Sequence, residues 1–221
     1  MLQMCRRLMQ GKPPQATLRW TQVLGDSLLP SPLSVVAFFL ALHLRHILSL
    51  KRVVCTAVDQ SELACRIAKK NASAYNLNNR VKIIWAKLNK EGKIIKGVKE
   101  NEDTEDVLKE YDIIVSNPPY VRHKDIFHLQ PEILLYEDLR ALNGGEDGLD
   151  IVKPLLKFAS KALKSKEISK IGGALFIEVD PNQPGLLEKW LTTQGKSFPL
   201  TLQKVHQDLF GKDRFIEFVK N

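Results

Sequence analysis

The sequence is organised around one stretch, Asp112-Ile113-Ile114-Val115-Ser116-Asn117-Pro118-Pro119-Tyr120. Its short apolar run is rich in β-branched residues, which is typical of a strand buried in a parallel sheet. The strand cannot continue past the two prolines, because they fix φ and remove backbone donors. The stretch therefore predicts a stiff polar loop at the carboxyl end of a strand, where open α/β sheets bind their ligands.

The predicted loop offers a defined set of hydrogen-bonding groups. Asn117 carries a carbonyl acceptor and an NH₂ donor, and the Pro118 carbonyl, held rigidly before Pro119, is a second acceptor. Two converging acceptors suit a planar NH₂ group, and the ring of Tyr120 supplies a flat face for it. We therefore predict that these four residues bind an amide or aryl amine. The simpler alternative is a structural turn.

The tetrapeptide Asn117-Pro118-Pro119-Tyr120 resembles the signature of amino-methyltransferases, which transfer a methyl group from S-adenosylmethionine to a planar nitrogen. The sequence around it is similar to that of the HemK-type release-factor glutamine methyltransferases. This similarity runs from about Arg52 to the C-terminus. The segments that carry it are residues 131–139, 141–150, 176–180 and 208–215.

The resemblance implies a fold, a reaction and a partner. The fold is α/β, a doubly wound, mostly parallel Rossmann-like class I methyltransferase sheet with a C-terminal antiparallel strand pair. The reaction is methylation of a glutamine side-chain amide in a peptide chain release factor. In it, Asn117 and Pro118 would orient the amide and Tyr120 would stack on it. We expect a monomer that needs neither nucleic acid nor a membrane.

Two further positions are candidates for binding the cofactor, together with Asn117. Residues 53–58 predict a strand that ends on Asp59, and an acid at the tip of the second strand can accept hydrogen bonds from ribose hydroxyls. The alternative for Asp59 is a helix cap. By resemblance, Leu88 lies near the adenine ring. The family usually places an acid just after the third strand, but residues 86–89 contain none.

The glycine-rich loop that normally follows the first strand is missing. The family pattern is an acid followed by Gly-x-Gly-x-Gly, because a side chain would block close backbone approach to the cofactor. No glycine occurs between Gly25 and Gly92, and the nearest candidate for a first strand is Trp20 to Leu24. We also expect the family's helical N-terminal domain to be absent. An alternative transcript, a faulty gene model or true divergence would each explain this difference.

The chain divides at about residue 50. Residues 1–50 form an atypical N-terminal segment, a divergent or truncated first strand and helix, and residues 51–221 form the methyltransferase catalytic domain. The segment is rich in arginine and has Asp26 as its single acid, which favours a mitochondrial transit segment, with the cytoplasm as the alternative. Its apolar run is too polar for a membrane span, so we predict a buried helix near residues 35–48. His43 and His46 lack a further ligand, so we predict no metal.

The overall composition is that of an ordinary soluble protein, with 26% charged and 44% hydrophobic residues. Its length fits one domain with a sizeable core. A formal net charge of +8 is compatible with a partner near nucleic acid, such as a ribosome-associated factor. The three cysteines lack metal-ligand spacing, and we expect reduced thiols.

The remaining pattern alternates strands and helices. We predict helices over residues 61–75, from near Leu149 with Asp147 as its cap, and over 184–194. The apolar positions predict which face of each of the first two helices packs inward. These faces carry Ala64, Ile67, Ala68 and Tyr75 in the first helix, and Val152, Leu155, Leu156, Ala159 and Leu163 in the second. Strands are predicted over 81–85, 173–179, 200–205 and 214–220, the last two joined at Gly211. Residues 87–110 read as a solvated loop or a hairpin insertion.

Two other functions remain open from the sequence. A nucleic-acid amino-methyltransferase would use the same loop but would need a pocket for a flipped base and a target-recognition region. A non-catalytic remnant would keep the fold and bind the cofactor weakly or not at all.

Overall fold

The eight strands of the described residues form one sheet, and the helices pack beside it. A computed structural model describes residues 18–24, 53–96, 110–136, 139–168, 172–195 and 197–221. The strands are β1 Leu18–Leu24, β2 Val53–Asp59, β3 Val81–Leu88, β4 Ile94–Lys96, β5 Ile113–Asn117, β6 Ala174–Glu178, β7 Leu200–Gln207 and β8 Asp213–Lys220. The helices are α1 Glu62–Ala74, α2 Pro131–Tyr136, α3 Val152–Ala162 and α4 Gln183–Gln194, with 3₁₀ turns at His123–His128 and Leu139–Ala141.

The strand order is β4-β3-β2-β1-β5-β6-β8-β7. Strands β3, β2, β1, β5 and β6 are parallel, whereas β4, β7 and β8 pair antiparallel with their neighbours. The chain runs outward from β1 through β2 and β3, and then returns to β5 on the other side of β1. Such a reversal leaves a crevice outside the carboxyl ends of the two central strands, where doubly wound sheets bind their ligands. The predicted fold class is confirmed.

The first strand predicted at Trp20–Leu24 is also confirmed, and it begins two residues earlier, at Leu18. It lies between β2 and β5, so the N-terminal segment contributes a central strand of the sheet. The predicted helix at 35–48, the histidine pair within it and the region around Leu28 to Pro32 lie outside the described residues. The division of the chain at residue 50 stays a prediction.

The core lies between β5, β6 and α3. Residues 113–116 are buried, as expected of a strand covered on both faces. The predicted inner face of α3 is confirmed, since each of its members is no more than 1% exposed: Val152, Leu155, Leu156, Ala159 and Leu163. Truncating one such leucine to alanine typically costs about 2–5 kcal/mol of stability.

The start of α3 is later than predicted. The helix begins at Val152, and Ile151 occupies the N-cap position without a side-chain cap. Asp147 instead accepts a hydrogen bond from the Leu149 amide at 2.9 Å, which closes a turn ahead of the helix. A capping aspartate and a turn-forming aspartate bond the amide two residues on in the same way, so sequence could not separate them.

Helix α1 agrees with its predicted range but not with its whole predicted face. Its buried residues are Ala64, Cys65 and Ala72, whereas Tyr75 at its end is 42% exposed. The third strand extends to Leu88 and pairs with β4, so the hairpin interpretation of the region after it is confirmed as far as residue 96. No helix among the described residues is both long and apolar enough to cross a bilayer.

The C-terminal strand pair is confirmed. Strand β8 pairs antiparallel with β6, with Phe215 opposite Glu178, and with β7 on its other side. Gly211 in the connecting turn has φ of 75°, a conformation that glycine adopts without strain. Because Glu178 ends a parallel strand, this turn lies at the carboxyl edge of the sheet, the edge that also bears the Asn-Pro-Pro-Tyr loop.

Candidate functional site

The Asn-Pro-Pro-Tyr loop leaves the sheet where the sequence predicts it. Asn117 is the last residue of β5 and lies opposite Leu24 of β1. Pro118 and Pro119 are buried, and the side chain of Tyr120 is half-buried. Within the described part of the chain, no side chain hydrogen-bonds to the Asn117 amide. Its oxygen is therefore available to a ligand, as the sequence-based interpretation requires.

A cavity of about 590 Å³ opens beside this loop. All four residues of the loop line it, together with residues from the segment after the loop, from the start of α4 and from β8. The residues from these other segments are Val121, Arg122, Asp125, Leu129, Ile133, Ala141, Leu142, Asp147, Asp180, Asn182, Gln183, Leu186 and Arg214. Its size exceeds that of a single side chain, so the cavity can take a side chain together with neighbouring groups.

Tyr120 points its hydroxyl at the end of β6. Its Oη donates to Glu178 Oε1 at 3.4 Å. Burial, reinforced by the charge of Glu178, raises the pKa of Tyr120 to about 12, so the hydroxyl keeps its proton at neutral pH. Burial also raises the pKa of the Glu178 carboxyl, against the opposing effects of Tyr120 and Arg214. This contact holds the Tyr120 ring in a fixed orientation along one wall of the cavity.

The glycine-containing segment, residues 141–148, is hydrogen-bonded to Val121, the residue that follows the loop. The Val121 amide donates to the Leu142 carbonyl at 2.9 Å, and the Gly144 amide donates back to the Val121 carbonyl at 2.8 Å. A Cβ on Gly144 would lie 2.8 Å from the Pro119 carbonyl oxygen, closer than real Cβ atoms approach. Glycine at position 144 therefore serves close packing against the loop.

Gln183 is a functional candidate that sequence reasoning missed. Its side chain is 2% exposed, and Nε2 donates to both the Tyr120 carbonyl at 3.1 Å and the Gly148 carbonyl at 2.9 Å. Its Oε1 accepts from the Asp180 amide at 2.9 Å. One buried amide thus joins the loop to two other segments. Its position just before Pro184 at a helix start was visible in the sequence, but its burial was not.

Asp59 lies at the same edge of the sheet as the loop. It ends β2, is 5% exposed and accepts a hydrogen bond from the Ser61 amide at 2.7 Å. The N-cap of α1 is Ser61, whose Oγ accepts from the Ala64 amide at 3.2 Å. Asp59 is therefore a turn-former and not the cap itself. Strand β1 separates Asp59 from Asn117, which places the two strand ends about 10 Å apart.

Neither Asp59 nor Leu88 lines the cavity beside the loop. Leu88 lies opposite Ile94 in the β3–β4 hairpin and packs, partly buried, against the core. Its proposed contact with the cofactor stays a prediction. The structure therefore brings together Asn117, Pro118, Pro119 and Tyr120, and it places Asp59 one strand further along the same edge.

The Asp59 carboxylate lies at the carboxyl end of β2 and is a hydrogen-bond acceptor of the kind that ribose hydroxyls use. Its contact with the nucleoside of S-adenosylmethionine stays a prediction. Residues 25–52, where the sequence has its unusual loop, lie outside the described residues. In the parts that are described, no three His, Cys, Asp or Glu side chains converge as metal ligands would.

Comparisons with known proteins agree with this geometry. Residues 37–171 match the family model described as Eco57I restriction-modification methylase. MTRF1L release factor glutamine methyltransferase of Homo sapiens is 38% identical over 160 residues, covering 72% of this chain and 43% of that protein. Release factor glutamine methyltransferase of Thermodesulfovibrio yellowstonii is 30% identical over 164 residues, covering 74% and 50%. The chain spans about half the length of these curated relatives.

A third relative is named for a different substrate. Ribosomal protein uL3 glutamine methyltransferase of Neisseria meningitidis serogroup A is 34% identical over 146 residues, covering 63% of this chain and 41% of that protein. The relatives therefore share glutamine methylation in their names.

Solved structures support the fold. The N-terminal domain of human METTL16 in complex with SAH superposes with a TM-score of 0.55 at 17% identity, covering 100% of this chain and 68% of that one. Ribosomal protein L11 methylase of Lactobacillus delbrueckii subsp. bulgaricus gives 0.51 at 15% identity, covering 99% and 76%. At these identities the likeness shows the shared Rossmann-like sheet and no more.

Proposed function

Since the chain belongs to the Eco57I restriction-modification methylase family, whose model match includes the Asn-Pro-Pro-Tyr loop, we propose that it is an S-adenosylmethionine-dependent methyltransferase. The acceptor is the side-chain amide nitrogen of a glutamine in a peptide chain release factor. The substrate assignment is supported by two relatives with that name at 30–38% identity.

The observation that carries the proposal is the position of Asn117. Asn117 is the last residue of the central strand β5 and lines the cavity of about 590 Å³. It lies where the strand order reverses, which is the place where sheets of this kind bind ligands. The Pro118 carbonyl follows it in a loop whose φ angles two prolines restrict. An NH₂ group entering the cavity would meet both oxygens together.

The chain's contribution to the reaction is positioning. An amide nitrogen is a poor nucleophile because its lone pair is delocalised into the carbonyl. Asn117 Oδ1 and the Pro118 carbonyl would each accept one N–H, which fixes the direction of the lone pair, while the ring of Tyr120 lies against the amide plane. Fixed geometry of this kind, with acceptors that stabilise the growing positive charge on nitrogen, supplies much of a catalytic effect.

The cofactor supplies an electrophilic methyl group when bound. Asp59 would hold its ribose hydroxyls, and Leu88 is retained as a proposed contact near the adenine. No general base is required beforehand, because the nitrogen becomes acidic once methylated and can then lose its proton to water. Tyr120 cannot serve as that base at neutral pH, since its pKa is about 12.

Transfer of labelled methyl groups tests the proposal. The chain is incubated with labelled S-adenosylmethionine and either a release factor or duplex DNA, the second because the family model carries a DNA-methylase name. We expect label in the release factor alone. Label in DNA alone would instead assign the chain to the nucleic-acid amino-methyltransferases.

We further propose a mitochondrial location for the protein, with release factor as its partner and a monomeric state. The location rests on the arginine-rich, acid-poor start of the sequence. A fluorescent fusion at the C-terminus that stains the cytoplasm evenly would contradict it.

A further inference from the structure

The most exposed large apolar side chains of the described residues lie in segments that contribute other residues to the candidate site. Four of them are more than 70% exposed: Leu209 at 101%, Phe210 at 88%, Leu135 at 75% and Phe127 at 74%. We refer to these four as the apolar rim. The next most exposed, Ile168, reaches 57% and lies before the amino end of β6.

Each member of the rim belongs to a segment that lines the cavity. Phe127 lies between the lining residues Asp125 and Leu129, and Leu135 follows the lining residue Ile133 by two positions. Leu209 and Phe210 lie in the β7–β8 turn, which runs directly into the lining residue Arg214. The rim therefore belongs to two separate parts of the chain, and each part also contributes residues to the cavity lining.

The turn that carries Leu209 and Phe210 is rigidly built. Asp208 Oδ1 accepts from the Phe210 amide at 2.8 Å and from the Lys212 amide at 3.0 Å. The Asp208 amide donates to the Lys212 carbonyl at 2.8 Å, and its other carboxylate oxygen lies 3.6 Å from Arg214 Nε. Since hydrogen bonds to the side chain and backbone of Asp208 order this turn, its two apolar side chains are presented to solvent at little entropic cost.

We propose that the apolar rim is the docking surface for the folded protein that carries the acceptor glutamine. This inference rests on the proposed function and adds where the substrate protein binds outside the cavity. A protein substrate fits better than a nucleic acid, because single-stranded nucleic acids are bound by aromatic rings interleaved with cations. Two of the four rim residues are leucines, which gain from burial against another apolar surface but not from base stacking.

Isolated exposed apolar residues are normal on protein surfaces. The distribution distinguishes these four, because all of them lie in connections at the edge of the sheet that bears the cavity. A substrate protein whose glutamine enters the cavity beside Asn117 must lie against this edge. That shared edge is the reason to assign the rim to the same partner and not to an unrelated one.

Substitution of the rim tests the assignment. A variant carrying Leu209→Ser and Phe210→Ser is compared with Ile168→Ser, which removes an exposed apolar side chain at the opposite edge of the sheet. We expect the dissociation constant for a full-length release factor to rise about tenfold or more in the first and to stay unchanged in the second, because apolar anchors carry most of an interface's affinity. Phe127→Ser on the other segment should weaken binding in the same direction.

Enzymatic readouts separate this inference from the proposed function. The rim variant should show a raised KM for the full-length release factor, an unchanged kcat at saturation and unchanged transfer to a short peptide containing the glutamine. Equal affinity of the variant and the parent chain for the release factor would overturn the rim. An oligomer that dissociates on rim substitution would also overturn it, by assigning the surface to a second copy. Rim-dependent binding without methyl transfer would contradict the proposed function and leave the docking surface in place.

Discussion

Asn117 combines a backbone role and a proposed chemical role in one residue. Its backbone ends β5 opposite Leu24, and its side chain lines the cavity with no side-chain partner among the described residues. The residue before two prolines is also restricted to extended backbone, so the side chain leaves the strand in a defined direction. The core is formed by other residues, which separates activity from stability at this position.

Asn117→Ala should therefore abolish methyl transfer while leaving the melting temperature nearly unchanged. Loss of the acceptor leaves the substrate amide without a partner at the moment of reaction. Asn78→Ala, in the exposed turn before β3, is the matched control and should keep full activity. Retained transfer in an Asn117→Ala variant of normal melting temperature would remove this residue from the site.

Asp59→Ala should weaken binding of S-adenosylmethionine by about 1–3 kcal/mol, since a charged hydrogen bond to a ribose hydroxyl would be lost. Asp59→Asn is the informative companion, because an asparagine can still accept from the Ser61 amide and so preserves the turn. Calorimetric titration of both variants measures the effect. If the cofactor binds both variants as it binds the parent chain, Asp59 serves only the turn.

At the scale of elements, the Asn-Pro-Pro-Tyr loop is held in place by two other segments. The glycine-containing segment bonds its far end, and Gln183 at the start of α4 bonds the Tyr120 carbonyl. A loop that continues from β5 at its start and is held by these contacts at its end can keep its two acceptors in position without a bound substrate. This is the preorganisation that positioning catalysis needs.

Gln183→Met should reduce kcat and leave the affinity for S-adenosylmethionine largely unchanged. Methionine fills a similar volume but cannot bond the Tyr120 and Gly148 carbonyls, and leaving such buried groups unpaired costs about 1–3 kcal/mol of stability. Gln194→Met, at the other end of the same helix, is the control. Thermal melting gives the variant's melting temperature, and steady-state kinetics are then measured below it. A kcat equal to that of the parent chain would contradict the positioning role.

Glu178→Gln should stabilise the protein at neutral pH and do so less at low pH. Burial raises the pKa of Glu178, so the folded state keeps this proton to higher pH than the unfolded chain, whose carboxyl titrates near about 4.3. The stability that this group contributes is therefore present at pH values below the pKa of the unfolded chain. It is lost as the pH rises through the raised pKa of Glu178 in the folded protein. Glutamine resembles the protonated acid. Melting temperatures of variant and parent are measured at about pH 4 and pH 7. An equal difference between the two proteins at both pH values would contradict the predicted pH dependence.

Strands and the reactive loop could be predicted from sequence because their signals are local. β-branched runs and a Pro-Pro pair determine backbone conformation within a few residues, which is why β5 and its loop lie where expected. The role of Gln183 could not be predicted, since its partners at Tyr120 and Gly148 lie 63 and 35 residues away. The exposure of Tyr75 was missed for a related reason. The periodicity of apolar residues in a helix predicts which face packs inward, but it does not show where the sheet beneath that face ends.

At the scale of the whole molecule, the proposed cofactor site has two unequal halves. One half includes Asp59 at the end of β2, where we propose that the nucleoside binds. The other half depends on the segment after β1, where the sequence has Leu28, Leu29, Pro30 and Pro32 in place of the expected glycines. From the sequence, we expect side chains in this segment to hinder the close backbone approach that glycines allow, and its prolines have no amide donors.

We therefore expect this chain to bind S-adenosylmethionine more weakly than a family member with an intact glycine-rich loop. Replacing the residues before Arg52 with a strand, glycine loop and helix of the family pattern should strengthen binding. The N-terminal dipole of the helix predicted near residues 35–48 would contribute only modestly and would not replace the missing glycine loop. Micromolar or tighter binding by the unmodified chain, measured by calorimetry, would show that another segment builds this half of the site.

The order of the strands was predictable only through the family resemblance, because no local signal states which strands are neighbours. Burial of α3 followed from its own periodicity, whereas the apolar rim depends on how two distant segments meet one cavity. The features closest to function at this scale are thus the ones that require the assembled sheet.

Tandem mass spectrometry of a release factor after incubation with the chain and excess S-adenosylmethionine tests the central claim most directly. The account predicts one added methyl group on the side-chain nitrogen of a glutamine, present with the parent chain and absent with Asn117→Ala. A methyl group on any other type of residue, or equal modification by the Asn117→Ala variant, would contradict it.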